Sequence, residues 1–161
     1  FAGLVLGFVG MLAWLGFKLG ASPLWAFVSI KLGTFGLLLP VYFTVAHRMF
    51  PFFAGNVVKG YVAWRPLWLL AAAWPLLLLH LALELVHAYG WLWVADVPLL
   101  GLFVLALWRW WPRVEAPRIL SVLFIGLAWL PVAVGWLLAF VPGVARSGRI
   151  YLAPRADGKA G

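Results

Sequence analysis

Apolar runs about as long as a bilayer is thick follow one another along almost the whole chain, and no other feature restricts its fold as much. They cover Phe1 to Phe17, Pro23 to Ala46, Pro66 to His87, Trp91 to Trp111 and Ile119 to Val141. A spanning helix needs about 17 to 25 mostly apolar residues; the first run meets only the lower limit, as a clipped helix would. Polar backbone groups in lipid must be satisfied within the protein, which leaves helices and closed barrels. Alternation of apolar and polar residues is nowhere sustained, and that argues against a barrel. The expected fold is all-α, a polytopic membrane helix bundle of about five spans over residues 1–141. Composition agrees, because a chain 66% hydrophobic has more apolar surface than a soluble domain of this size can hide.

The balance of 12 Lys and Arg against 4 Asp and Glu is basic. Nucleic-acid binding would gather those cations on one water-exposed face, whereas here they punctuate the apolar runs. The expected partner is therefore the lipid bilayer and not nucleic acid. The chain has no Cys, which removes disulfides, thiolate metal sites and cysteine nucleophiles. The connection after the second run holds Arg48, Lys59 and Arg65, and the one after the fourth holds Arg109, Arg113 and Arg118. The opposite side has Lys18 alone before the C-terminal segment, so the positive-inside bias makes the arginine-bearing side cytoplasmic. His47 to Arg65, with Phe50, Phe52, Phe53, Tyr61 and Trp64, is expected to lie at the headgroup boundary, and Trp108, Trp110 and Trp111 to form an interface belt. Residues 142–161 carry Arg146, Arg149, Arg155 and Lys159 without an apolar period, and are expected to be a basic tail, disordered or non-native.

Ionisable side chains within spans are costly and are the first candidates for function. Counted from the outer side at about 1.5 Å per residue, Lys31 is roughly 12 Å into the second span and Asp96 roughly 7 Å into the fourth. His80, Glu84 and His87 occupy the last two turns of the third, at i, i+4 and i+7, and are expected on one face turned into the bundle. Lys31, Glu84 and Asp96 read either as an ion network that fixes helix register or as the lining of a polar path through the membrane. His80 reads either as a neutral imidazole bonded across helices or as a ligand to haem iron or copper, oriented by a neighbouring carboxylate. His87 reads as a solvated interfacial histidine, and His47, beside Arg48, as a helix-end anchor. The spacing of Gly3 and Gly7 could let another helix approach closely, but such spacing is common by chance, and the pair reads rather as ordinary lipid-facing sequence. A single inward histidine cannot complete a bis-histidine haem site, so such a site needs a ligand from elsewhere.

Lys31-Leu32-Gly33, Leu38-Leu39-Pro40-Val41 and above all Ala46-His47-Arg48-Met49-Phe50-Pro51-Phe52-Phe53 resemble the signature of the NnrS family of polytopic bacterial membrane proteins. The similarity continues through Gly60-Tyr61, Arg65-Pro66-Leu67-Trp68, His80 to Glu84, Trp93 to Leu99 and Ile125 to Leu130, about residues 28 to 140. The resemblance implies a haem- and copper-containing protein of the bacterial cytoplasmic (inner) membrane, multi-pass and associated with nitric oxide metabolism, denitrification and nitrosative stress. It assigns no particular reaction, and nitric oxide or nitrosyl species are the partners it suggests. His80, His47, Arg48 and Glu84 are the cofactor-binding residues expected on this basis, with His80 and His87 as metal ligands. Family members carry further histidine motifs after the Ala-Trp-Leu span, while here Pro142-Gly143-Val144-Ala145-Arg146 follows. The expectation is a truncated or frame-shifted portion that needs the remainder of the chain. Two readings compete with it: a transporter or channel lined by Lys31, Glu84 and Asp96, and an inactive structural fragment.

Overall fold

The computed structural model describes residues 1–20, 22–112 and 118–152. Arg113, part of the expected cationic belt, and residues 153–161 of the expected tail lie outside them. Within the described residues the chain is helical and has no strand: α1 Ala2–Lys18, α2 Pro23–Lys31, a π-helical stretch Leu32–Leu38, α3 Leu39–Val57, α4 Leu67–Leu85, α5 Trp93–Trp110 and α6 Arg118–Leu152. Four rods are long and apolar enough to cross a membrane: Pro23–Val57, Leu67–Leu85, Trp93–Trp110 and Leu120–Phe140; α1 is shorter. Their outward surface is apolar, with Trp129 66% and Trp136 64% exposed. An apolar surface of that kind is stable against lipid and not against water.

Two segments differ from the sequence expectation. His47 to Val57 is not a connection but the end of α3, so that α2, the π stretch and α3 form one rod over Pro23–Val57. Pro51 sits inside it, tolerated because the bundle offers neighbours for the carbonyl it frees. The last helix also continues past Val141 to Leu152, in place of the irregular segment expected from residue 142 onward.

The π stretch begins directly after Lys31 and holds Gly33 and Gly36 ahead of Pro40. Proline cannot donate to the carbonyl four residues back and crowds it; widening the preceding turns relieves that clash. Gly36 also lies close against α1, since a Cβ there would lie 3.1 Å from Leu6 Cβ. Facing it, α1 presents Gly3, Gly7, Gly10 and Ala13 as its buried edge. The expectation of plain lipid-facing glycines is thus corrected: small side chains let two backbones approach where no hydrophobic force would drive them together. Gly36→Val is expected to lower stability by about 1 to 3 kcal/mol through overpacking. Gly33→Ala, where a Cβ meets nothing within 4 Å, should be neutral or slightly stabilising. Unfolding midpoints of the two variants in one detergent would separate the effects.

The core runs along α3, α4 and α5, where Phe43, Phe50, Leu69, Leu77, Leu99, Phe103 and Trp110 pack with Phe124 of α6. Trp110 belongs to it, not to an interface belt: it is fully buried, whereas Trp108 and Trp111 are exposed.

Candidate functional site

Where the C-terminal ends of α2 and α4 meet the first turn of α5, four ionisable side chains form one chain of contacts. Lys31, the last residue of α2, donates from Nζ to Glu84 Oε1 at 2.8 Å. Glu84 Oε2 lies 3.6 Å from Nε2 of His80, one turn earlier on α4. His80 Nδ1 meets Asp96 Oδ1 of α5 at 2.5 Å. His80 and Asp96 are each 1% exposed and Glu84 5%, while the Lys31 side chain remains one quarter accessible. The Lys31 ammonium rests over the rings of Phe27 and Phe35, and Phe35 also covers His80 with ring centroids 4.0 Å apart. Sequence reasoning named Lys31, Glu84, Asp96 and His80 but missed Phe35, whose apolar ring is indistinguishable in sequence from a lipid-facing one.

The arrangement leaves three buried polar atoms without a hydrogen bond: His80 Nε2, Glu84 Oε2 and Asp96 Oδ2. Buried polar groups are rarely left so, because each costs about 1 to 3 kcal/mol unpaired. A neutral His80 that donates its Nδ1 proton to Asp96 directs the Nε2 lone pair at Glu84. In that state two carboxylates face one ammonium, and the surplus negative charge calls for a cation at Nε2. A proton or a metal ion would meet that demand. A carboxylate holding the far nitrogen of an imidazole is the usual support of a metal-ligating histidine.

His87 does not join this group. Helix α4 ends at Leu85, and His87 takes a left-handed conformation (φ 57°) just beyond it, with its N–H on Glu84 O and the Ala88 N–H on Leu83 O. This is a Schellman termination with histidine where glycine is usual. The i+7 spacing therefore no longer measures a helix face, and the ring is exposed and stacked on Phe27 at 5.3 Å. The expectation of His80 and His87 as joint metal ligands is corrected on this ground. His87→Gly is expected to be neutral or up to about 1 kcal/mol stabilising, and a matching unfolding midpoint with unchanged metal content would bear that out.

His47 and Arg48 lie at the opposite end. His47 is buried inside α3 rather than at a helix end, and its Nε2 contacts the Pro66 carbonyl at 3.0 Å, tying α3 to the start of α4. Around it, Tyr61 O–H donates to Trp110 O at 3.0 Å and Trp110 Nε1–H to Trp64 O at 2.9 Å. Burial pushes the Tyr61 phenol above its ordinary value, so it remains a donor. Arg109 stacks over Trp64 and Trp108.

A family model described as NnrS protein matches residues 1–150. The chain belongs to the NnrS family. No curated protein and no solved structure matches it. The two buried histidines can be compared with the expectation of haem and copper ligands. Neither suits a haem as packed: His80 Nε2 faces Glu84 at 3.6 Å beneath Phe35, and His47 Nε2 is engaged by Pro66. A single ion suits His80 and Glu84 better, because two ligands about 2.0 to 2.1 Å from a tetrahedral centre stand roughly 3.4 Å apart. Among the described residues no three His, Cys, Asp or Glu side chains gather to hold a metal, so these two donors make half of a site.

Proposed function

We propose that this NnrS-family chain acts in nitric oxide metabolism and nitrosative-stress defence at the bacterial cytoplasmic membrane, with His80 and Glu84 as two of the ligands of a copper ion. The observation that carries the reading is the unpartnered, fully buried His80 Nε2, held by Asp96 through the other ring nitrogen. Further ligands would come from outside the described residues. Copper bound there would supply one-electron redox chemistry and a place for nitric oxide to bind. Asp96 holds the Nδ1 proton and so fixes the tautomer that presents a lone pair. Lys31 restrains Glu84 and limits the negative charge of the site. Phe35 and the surrounding helices keep water away from the imidazole. No role for haem follows from these residues.

Elemental analysis and electron paramagnetic resonance of the purified chain test the reading. Bound copper should be lost in His80→Ala and weakened about 10- to 100-fold in Asp96→Asn, the usual effect of removing an orienting carboxylate. Copper that survives His80→Ala unchanged, or a Soret band with no copper at all, would overturn it.

A second reading is a polar path across the outer half of the membrane. It is favoured by the continuity of Lys31, Glu84, His80 and Asp96, with Lys31 accessible at one end. Proton flux into liposomes that Glu84→Gln abolishes, in protein free of copper, would select it over the first.

A further inference from the structure

At the end of the bundle away from His80, Thr44, His47 and Arg48 of α3 and Arg65, Leu67 and Leu70 at the start of α4 line an open cleft of about 480 Å³. Both guanidiniums are exposed, and neither has an ion pair or hydrogen bond with any described residue. Among the described residues no carboxylate stands beside them as a counter-charge. Of the chain's 4 acidic residues, Glu84 and Asp96 are committed to the cluster at the other end, and Glu115 and Asp157 lie outside the described residues. Helix α4 adds to the positive potential, since it begins at this cleft behind Pro66 with no side chain capping its first N–H groups. Two planar guanidinium forks that face a shared space suit a phosphate, which each can grip through two oxygens. Beside them Leu67 and Leu70 give the cleft an apolar wall on a helix whose outer surface, with Leu67 and Trp68 exposed, is built for lipid.

Cations above an apolar wall match a phosphate that carries acyl chains better than a free one. We propose that this cleft holds the headgroup phosphodiester of an anionic phospholipid between Arg48 and Arg65, with an acyl chain laid along Leu67 and Leu70. The arginine-bearing connections mark this end as the side of the bilayer where anionic lipid concentrates. The lipid tethers α3 to α4 at the point where the Pro66 carbonyl already meets His47. This site is independent of what binds at His80.

Native mass spectrometry of the full chain, reconstituted with equal phosphatidylglycerol and phosphatidylcholine and then released from detergent, reads the proposal. Phosphatidylglycerol should be retained in preference. Arg48→Gln and Arg65→Gln should each lower that retention by more than about tenfold, the loss of a direct hydrogen bond to a charged group. Arg48→Lys should recover part of the loss, because the charge returns without the fork. Lys59→Gln changes an exposed cation of the same connection that does not line the cleft, and should have no effect. Equal retention of the two lipids would overturn the proposal. So would a loss in Lys59→Gln as large as in the arginine variants, which would mean diffuse attraction, or displacement of phosphatidylglycerol by millimolar inorganic phosphate, which would mean a soluble ligand.

Discussion

Trp110→Ala is expected to destabilise the bundle by about 3 to 5 kcal/mol, the range for removing a fully buried large aromatic side chain. Trp110 is 0% exposed and packs against Phe43, Phe50 and the edge of His47, so truncation opens a cavity where α3, α5 and α6 meet. It also removes the indole N–H donated to Trp64 O, which leaves that carbonyl to find a new partner. Trp129, two thirds exposed on the lipid-facing side of α6, is the control; Trp129→Ala should change stability by less than about 1 kcal/mol. Equilibrium unfolding in mixed micelles, followed by far-UV circular dichroism, compares them. Equal costs would mean that the buried position of Trp110 is wrong.

Glu84→Ala is the second large effect. It strips Lys31 of its acceptor and leaves His80 without the carboxylate beside Nε2, and removal of one partner from a buried pair costs about 3 to 5 kcal/mol. The informative comparison is the double variant Lys31→Met, Glu84→Met. If the pair serves only to fix register, an apolar pair of similar volume should restore most of the lost stability. Copper retention or proton flux should not return with it. Full recovery of both stability and metal binding by the double variant would show that Glu84 acts as a charge partner and nothing more.

The helices and the ionisable cluster were legible because both rest on cost: apolar length fixes the spans, and Lys31, His80, Glu84 and Asp96 within them have to find each other. What stayed illegible depended on local geometry. His87 obeys the helical spacing on paper, yet α4 terminates two residues before it in a left-handed turn that histidine can adopt. His47 to Arg65 reads as a connection, but in a bundle the carbonyl freed by Pro51 can be accommodated, so α3 continues to Val57. The spacing of Gly3 and Gly7 allowed a close helix approach but is common by chance, and only the partner, the π stretch with Gly36, decides for it. The two glycines followed by Pro40 were the one signal in the sequence for that widened stretch. Trp110 and Trp108 are two residues apart among similar neighbours, and only the direction of α5 decides which one enters the core.

The Pro23–Val57 rod has 35 residues, roughly 50 Å at 1.5 Å of rise per residue, against a hydrocarbon layer of about 30 Å. Its apolar part, Pro23 to Ala46, is about 36 Å long and fits that layer with an ordinary tilt, so the turns from His47 to Val57 carry the rod beyond it. One unbroken rod thus carries both Lys31, bonded to Glu84, and Arg48 of the opposite cleft.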